Sequence, residues 1–340
     1  MIKVLIVDDS AVTRLIMTKM LSKYENIEII GTAADVYVAR DKIVKLRPHV
    51  ITLDISMPKM DGLSFLAKLM QHYPMPVVVF SSLAIKDGEI ALKAMDLGAV
   101  EVFCKPGEES ARDVYKNLAK SIQIAGLTQI IKDNQGSPSS FKESETKPVL
   151  VQTTKKVIAI GASTGGTKAI EAVLTTMSAT SPGIVITQHM PEKFTDAFAK
   201  RLDKNCRIEV REARNDDDVV PGVALIAPGN NHMLLKQNNG GYVVKIVDGP
   251  RVQYQRPSVD VMFRSVAESA GANAVGALLT GMGADGADGL LAMHQKGAFT
   301  IAQDEKTCVV FGMPKKAIEL NAVDQVVPLT KISQALIVEH

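Results

Sequence analysis

The stretch Lys3–Asp9 reads KVLIVDD, a short run of branched apolar residues that ends in two adjacent carboxylates. Such a continuous apolar run is typical of a strand buried on both faces, as in a parallel sheet covered by helices. Ser10 follows it and stands where a helix N-cap belongs. Four similar runs occur further along the chain, at Glu28–Thr32, Val50–Leu53, Pro76–Phe80 and Val100–Phe103. Amphipathic segments separate the five runs, so the sequence predicts an α/β domain with a five-stranded parallel sheet.

A polar stretch divides the chain. Residues 133–148 read DNQGSPSSFKESETKP, in which Phe141 is the only large apolar side chain, and this composition is typical of a linker. It follows a predicted helix at Ser110–Lys132. The sequence therefore predicts one domain over residues 1–125, a helix end and linker over 126–154, and a second domain over 155–340.

The second domain has its own series of apolar runs, which are punctuated by glycine. They read VIAIGAS from Val157, GIVITQHM from Gly183, VALIAP from Val223, YVVKIV from Tyr242, AVGALLTGMG from Ala274 and AFTIAQ from Ala298. NNGG at Asn238–Gly241 has the residues of a hairpin turn. We expect a mainly parallel, doubly wound α/β domain with one antiparallel hairpin.

Composition excludes several classes of function. The 340 residues are 46% hydrophobic and 22% charged with a net charge of +2, so the chain lacks the basic excess of a nucleic-acid-binding surface. Three widely spaced cysteines are too few for a disulfide framework or a four-cysteine zinc site. No basic leader and no run of 18 apolar residues is present. We expect a cytoplasmic protein that does not span a membrane and does not bind nucleic acid.

Polar side chains follow four strands of the first predicted sheet. Asp8 and Asp9 end the first strand, Asp54 the third, Ser81 the fourth, and Lys105 the fifth. The carboxyl ends of parallel strands share one edge of a sheet, where ligands bind. Three carboxylates that meet there would repel one another unless a hard cation such as Mg²⁺ bound between them. A carboxylate beside that cation, a hydroxyl and an ammonium group is a candidate phosphoryl acceptor.

These residues resemble the response-regulator receiver family, which has a flavodoxin-like fold. The resemblance covers about residues 1–125 and rests on VDDS, LDISMPKMDG, VFSSL and CKP. It implies phosphorylation of Asp54, with Mg²⁺ held by Asp9, Asp54 and the backbone carbonyl of Ser56. Receivers often carry an aromatic switch residue in the fifth strand, where this sequence has Val102.

A serine motif follows the first strand of the second domain. Gly161–Gly166 reads GASTGG, a G-x-S-x-G pattern between a strand and a predicted helix, which would present Ser163 at the strand end. Serine needs an adjacent base, and His189 ends the next apolar run. That base needs an orienting carboxylate, for which Asp285 in LLTGMGADG is the candidate. Two backbone N–H groups are candidates for the oxyanion hole, those of Thr164 and Met282.

Other residues compete for these roles. Ser163 could simply cap a helix, His232 is a second candidate base, and Asp288 is a second candidate carboxylate. Asp260 also competes, but it is better explained as a first-turn acid of a helix capped by Ser258.

Gly281–Gly286 also has a dinucleotide-binding pattern. It reads GMGADG, a G-x-G-x-x-G sequence with Asp304 about twenty residues further on. This oxidoreductase interpretation places the motif deep in the second domain, and it leaves Ser163 and His189 unexplained.

The combination of GASTGG, QHMP, RPSVD and LTGMGADG with a receiver and a polar linker resembles the CheB family of chemotaxis protein-glutamate methylesterases. The resemblance implies that Ser163, His189 and Asp285 form a catalytic triad that needs no cofactor. It implies glutamyl methyl esters of methyl-accepting chemoreceptors as substrates, with glutamine deamidation as a second activity. It further implies a chemotaxis histidine kinase as phosphodonor, and a receiver that covers the catalytic cleft until it is phosphorylated. A catalytically inactive binding domain is the remaining alternative.

Overall fold

The computed structural model describes residues 1–57, 61–82, 88–106, 111–126, 156–192 and 194–338. They form two α/β domains. In the N-terminal domain the elements are β1 (Ile2–Val7), α1 (Ala11–Leu21), β2 (Ile27–Ala33), α2 (Val36–Leu46), β3 (Val50–Leu53), α3 (Gly62–His72), β4 (Val77–Ser81), α4 (Gly88–Asp96), β5 (Glu101–Cys104) and α5 (Ala111–Ala125).

The five strands of the N-terminal domain form one sheet in the order β2-β1-β3-β4-β5, which confirms the predicted five-stranded parallel sheet. Ser10 caps α1 as predicted, since its side chain accepts a hydrogen bond from the Thr13 amide. Because β1 and β3 are neighbours in the sheet, the residues that follow Val7 and Leu53 leave it side by side. Helix α5 ends at Ala125, and the predicted continuation to Lys132 and the linker at 133–148 lie outside the described residues.

The C-terminal domain contains a larger parallel sheet and a separate hairpin. Its elements are β6 (Val157–Ala162), α6 (Gly166–Leu174), β7 (Gly183–Gln188), α7 (Phe194–Asn205), β8 (Glu209–Glu212), β9 (Val223–Ile226), β10 (His232–Asn238), β11 (Gly241–Val247), α8 (Val259–Ser269), β12 (Ala274–Leu278), α9 (Ala287–Gln295), β13 (Phe299–Gln303), α10 (Met313–Glu319), β14 (Gln325–Val327) and α11 (Leu329–Ile337). Strands β10 and β11 pair antiparallel through the predicted turn.

The order of the larger sheet, β14-β13-β12-β6-β7-β9-β8, reverses direction at β6. Strand β7 follows β6 on one side, whereas β12 lies on the other. In open α/β sheets ligands bind in the crevice outside the carboxyl ends of the strands at such a switch point. The residues after β6, β7 and β12 therefore share one crevice, and these are the three predicted catalytic segments.

The two domains touch. Ala91 and Leu92 of α4 belong to the same buried apolar cluster as the helices on one face of the larger sheet. At the edge of this contact, Arg201 of α7 binds both carboxylate oxygens of Asp96, at 2.6 and 2.8 Å. Every helix among the described residues is too short or too polar to span a lipid bilayer.

Candidate active site and phosphorylation site

The carboxyl edge of the N-terminal sheet brings the predicted acidic residues together. Asp8, Asp9 and Asp54 each offer a carboxylate oxygen, and these oxygens lie within 4.8 Å of one another. Lys105 Nζ lies 2.7 Å from Asp8 Oδ2 and 2.5 Å from Asp54 Oδ2. These four residues, which follow three different strands, thus form one cluster, as strand-end placement predicts.

This cluster suits a divalent cation. Burial raises the pKa of Asp8 more than Lys105 lowers it, and the negative charge of Asp54 adds to the rise. The burial of its carboxylate thus disfavours the ionised form of Asp8 in the absence of a cation. Three carboxylates face one ammonium group here, and carboxylate oxygens are the ligands that Mg²⁺ prefers. Asp8, Asp9 and Asp54 would hold the ion, and the carbonyl of Ser56 stays a predicted fourth ligand.

The predicted Ser81 hydroxyl lies close to the side chain of Ser56. Ser56 Oγ is 3.2 Å from Ser81 Oγ, and the Ser56 amide donates to Asp54 Oδ1 at 2.9 Å. Val102 stands on β5 and packs against apolar residues of both domains. This position, where receivers often have an aromatic residue, lies at the domain contact.

Ser163 follows β6 in a tight turn. Its amide donates to Thr280 O at 3.0 Å, and its carbonyl accepts hydrogen bonds from the Gly166 amide at 2.7 Å and Gln188 Nε2 at 2.9 Å. Gly165 has φ of +79°, a left-handed conformation that glycine adopts without strain. The peptide groups around Ser163 are therefore fixed on both sides of the turn.

His189 and Asp285 meet in the same crevice. His189 Nε2 lies 2.6 Å from Asp285 Oδ2, although the two residues are 96 positions apart. The other ring nitrogen, Nδ1, is buried and has no hydrogen-bond partner among the described residues. Both side chains line a cavity of about 460 Å³ together with Ser163. This orientation leaves Nδ1 as the nitrogen that can accept a proton from the serine.

The surroundings of Asp285, and His189 above all, favour its ionised form. Burial alone would raise the pKa of Asp285, but the hydrogen bond and charge of His189, supported by hydrogen bonds from Ser258 and Val259, lower it below its usual value. Asp285 is therefore ionised and can stabilise a protonated His189, which is the task of the carboxylate in a Ser-His-Asp triad.

The residues that compete for the base and carboxylate roles have other surroundings. His232 lies between the Ser258 amide and Pro250 O. Asp260 accepts hydrogen bonds from Gly289 and Gln253 in the first turn of α8, a helix that Ser258 caps as predicted. Asp288 is half-exposed.

The dinucleotide interpretation gains no support from the structure. The Asp304 carboxylate, which would hold the ribose, accepts hydrogen bonds from the amide and hydroxyl of Thr307. The Asp285 carboxylate of the GMGADG segment faces His189.

Thr164 and Met282, the predicted oxyanion-hole residues, both line the cavity. Their amides donate none of the backbone hydrogen bonds found among the described residues, whereas the neighbouring Gly281 amide donates to Val310 O. Free amides at the cavity wall are what an oxyanion hole requires.

A receiver residue that sequence reasoning missed also lines this cavity. Glu101 of β5 accepts a hydrogen bond of 2.6 Å from Ser121 Oγ. Burial raises the pKa of Glu101, while Ser121, the charge of His189 and the Thr164 side chain act in the opposite direction. A glutamate at a strand start carries no sequence signal of such a contact, because the contact depends on how the two domains pack.

Comparisons with known proteins agree with this arrangement. The CheB methylesterase family model matches residues 158–336, and the response regulator receiver domain model matches residues 4–115. A protein of Syntrophus aciditrophicus named protein-glutamate methylesterase/protein-glutamine glutaminase 2 is 53% identical over 99% of this chain and 98% of its own. A Salmonella typhimurium (strain LT2) protein named protein-glutamate methylesterase/protein-glutamine glutaminase is 49% identical over 99% of this chain and 96% of its own.

Among solved structures, the CheB methylesterase catalytic domain of Thermotoga maritima is 39% identical and superimposes with a TM-score of 0.53, covering 54% of this chain and 97% of that one. Fold and relatives together define a response regulator whose output domain is a hydrolase. The chain belongs to the CheB methylesterase family.

Proposed function

We propose that this chain hydrolyses glutamyl methyl esters on methyl-accepting chemoreceptors, and that it deamidates receptor glutamines by the same chemistry. Ser163 is the nucleophile, His189 the base and Asp285 the carboxylate that orients it. The observation that carries the assignment is the 2.6 Å pair of His189 and Asp285, which leaves His189 Nδ1 without a partner among the described residues and lines the same cavity as Ser163. The names of the relatives supply the substrate class.

The mechanism proceeds through an acyl-enzyme. Ser163 Oγ attacks the γ-carbonyl carbon while its proton passes to His189 Nδ1, and the amides of Thr164 and Met282 stabilise the oxyanion. The C–O bond to the methoxy group then breaks, and His189 returns the proton so that methanol leaves. Water, deprotonated by His189, hydrolyses the acyl-enzyme and releases a glutamate carboxylate. With a glutamine substrate the leaving group is ammonia.

Phosphorylation of Asp54 by a chemotaxis histidine kinase controls this reaction. Asp8, Asp9, Asp54 and the carbonyl of Ser56 would hold Mg²⁺, and the bound ion would neutralise charge at the acceptor carboxylate. Lys105 Nζ lies 2.5 Å from Asp54 Oδ2 and would pair with a phosphoryl oxygen, and the Ser81 hydroxyl, 3.2 Å from Ser56 Oγ, would meet another. Phosphorylation would break the present Lys105–Asp54 pair and so change the carboxyl edge of the receiver.

The domain contact supports this control. Glu101 and Val102 of the receiver line the same cavity as Ser163 and His189, so the receiver covers the catalytic site in this structure. We place the receiver at 1–125, the linker at 126–154 and the catalytic domain at 155–340. The substrate sites are on cytoplasmic receptor segments, which puts the enzyme in the cytoplasm with receptors and kinase as partners rather than nucleic acid.

Methanol release from methylated receptor membranes tests the proposal. Ser163→Ala should abolish release while phosphorylation of Asp54 by a small phosphodonor stays intact, which serves as the folding control. Substantial release by the variant would overturn the nucleophile assignment. No release by the unchanged chain would favour an output domain that only binds.

A second variant tests the control site. Asp54→Asn should lose activation by the phosphodonor and keep the basal rate. Undiminished activation would place the phosphorylation switch at another residue.

A further inference from the structure

The residues at the start of α8 donate hydrogen bonds to the carboxylate of Asp285. Its Oδ1 accepts hydrogen bonds from Ser258 Oγ at 2.7 Å and from the Asp260 amide at 3.1 Å. Its Oδ2, which faces His189, also accepts a hydrogen bond from the Val259 amide at 2.8 Å. Three donors from consecutive residues thus fix the rotation of a carboxylate that is 2% exposed.

Ser258 provides the only side-chain donor of the three, and it is itself fixed from the other side. Its amide donates to His232 Nδ1 at 3.2 Å, and His232 Nε2 donates to Pro250 O at 2.9 Å. A backbone amide can only donate and a carbonyl can only accept, so this arrangement requires neutral His232 with its proton on Nε2. Ser258 is completely buried. Its hydroxyl therefore has one stable direction, toward Asp285.

We propose that Ser258 is a positioning residue for ester hydrolysis, which acts through Asp285 on His189. The proposal rests on the proposed triad. The Ser258 hydroxyl makes the shorter of the two Oδ1 hydrogen bonds, and it therefore holds Oδ2 toward His189 Nε2. Without it the carboxylate can rotate, the imidazole loses its fixed partner, and Nδ1 is aimed less often at Ser163. The RPSVD sequence thereby acquires a role in the reaction beyond helix capping.

Capping and positioning can be separated because they use the hydroxyl differently. As an N-cap, Ser258 Oγ accepts from the Val261 amide at 3.4 Å, which is long for a hydrogen bond. As a positioning group it donates to Asp285 at 2.7 Å. Glycine is a competent N-cap residue, so Ser258→Gly removes the hydroxyl at little cost to the helix. Ser258→Thr keeps the hydroxyl.

The experiment measures kcat and KM for methanol release from methylated receptor membranes by the phosphodonor-treated full chain. Ser258→Gly should lower kcat by about tenfold to a hundredfold, because a hydrogen bond to a buried charge is lost, with KM unchanged within about twofold. Labelling of Ser163 by a fluorophosphonate should slow by a similar factor. Ser258→Thr should recover most of the rate.

The matched control is Ser265, a buried serine on the same helix, which donates to Met262 O at 2.6 Å and accepts from the Leu235 amide at 2.8 Å. Ser265→Ala should lower the unfolding temperature but keep kcat within about threefold. Folded Ser258→Gly with an unchanged kcat would overturn the proposal, and so would an equal loss in Ser265→Ala. Ser163→Ala distinguishes failure of this proposal from failure of the triad. If Ser163→Ala releases methanol, the proposed triad is wrong. If Ser163→Ala is inactive while Ser258→Gly keeps its kcat, only the role of Ser258 is wrong.

Discussion

Asp260 is a buried carboxylate beside the charge of Asp285. Burial, followed by the charge of Asp285, raises the pKa of Asp260 to about 6. A raised folded-state pKa means that the folded protein binds this proton more tightly than the unfolded chain. The resulting contribution to stability is fully present below the usual value of 3.8 and is lost as the pH rises through about 6.

Asp260→Asn removes the ionisation and should therefore stabilise the protein at pH 8 but not at pH 4.5. We expect a difference of roughly 1–3 kcal/mol in the free energy of unfolding between the two conditions, relative to the unchanged chain. Denaturant unfolding of the full chain at both pH values measures it. Asp288→Asn, an exposed change on α9, should move stability by less than about 0.5 kcal/mol. An equal effect of Asp260→Asn at both pH values would show that its carboxyl does not titrate in this way.

At the scale of single residues, the sequence predicted which residues belong to the candidate site but not how their side chains are oriented. Strand-end placement singled out Ser163, His189 and Asp285, and helix-cap logic separated Asp285 from Asp260. It could not predict that His189 uses Nε2 toward Asp285, because that choice depends on side-chain torsions in the folded crevice. Ser258 was recognised as a cap, but its second hydrogen bond crosses 27 residues of chain and leaves no local signal.

The turn between β6 and α6 links the segment of Ser163 to that of His189. Gln188, the last residue of β7, donates from Nε2 to the carbonyls of both Ser163 and His189, at 2.9 and 3.2 Å. A Cβ at Gly166 would overlap Gln188 Oε1 and would lie 2.7 Å from Ala162 Cβ. The absence of a side chain at Gly166 is thus what lets Gln188 hold both segments.

Gly166→Ala should therefore displace Gln188 and lower kcat by about a hundredfold, since misplacing reacting groups by about 1 Å has effects of that size. Methanol release and Ser163 labelling measure the loss. Gly241→Ala in the β10–β11 hairpin is the control, because its added Cβ would meet only Asn238 O at 3.8 Å. Full activity in folded Gly166→Ala would mean that the turn tolerates movement of Gln188.

Among the secondary-structure elements of the larger sheet, the central strands were predicted and the two edge strands were not. The central strands β6, β7 and β12 are buried along their whole length and consist mainly of apolar residues, so their sequences stand out. Strands β8 (EVRE) and β14 (QVV) lie at the two edges of the sheet and are short and partly polar. One side of an edge strand has no neighbouring strand and is exposed to solvent. These two edge strands therefore lack the continuous apolar run that identifies a central strand.

At the scale of the whole molecule, the closed arrangement rests on contacts that join distant parts of the chain. The Tyr254 ring in the catalytic domain lies 4.4 Å from Lys116 Nζ and 4.5 Å from Lys120 Nζ of α5. Asp96 and Arg201 pair across 105 residues. Two domains and a linker were visible in the sequence, but the packing between them was not, because these contacts have no periodic or local pattern.

Asp96→Ala removes the receiver's half of this ion pair without touching the catalytic cavity or the acidic cluster. Asp96 and Arg201 are partly exposed, and such pairs contribute about 0.2–1 kcal/mol. Loss of that energy from the closed state alone should raise methanol release by the unphosphorylated chain up to about fivefold, through a population shift toward the open state.

The rate after phosphodonor treatment should stay the same, since phosphorylation has then already opened the domains. Asp41→Ala is the matched control, because it removes an exposed ion pair with Arg40 on α2 within the receiver. It should leave both rates unchanged. If Asp96→Ala raised the phosphorylated rate by the same factor as the unphosphorylated one, the pair would act on catalysis itself. The domain contact would then not be the element through which Asp54 controls Ser163.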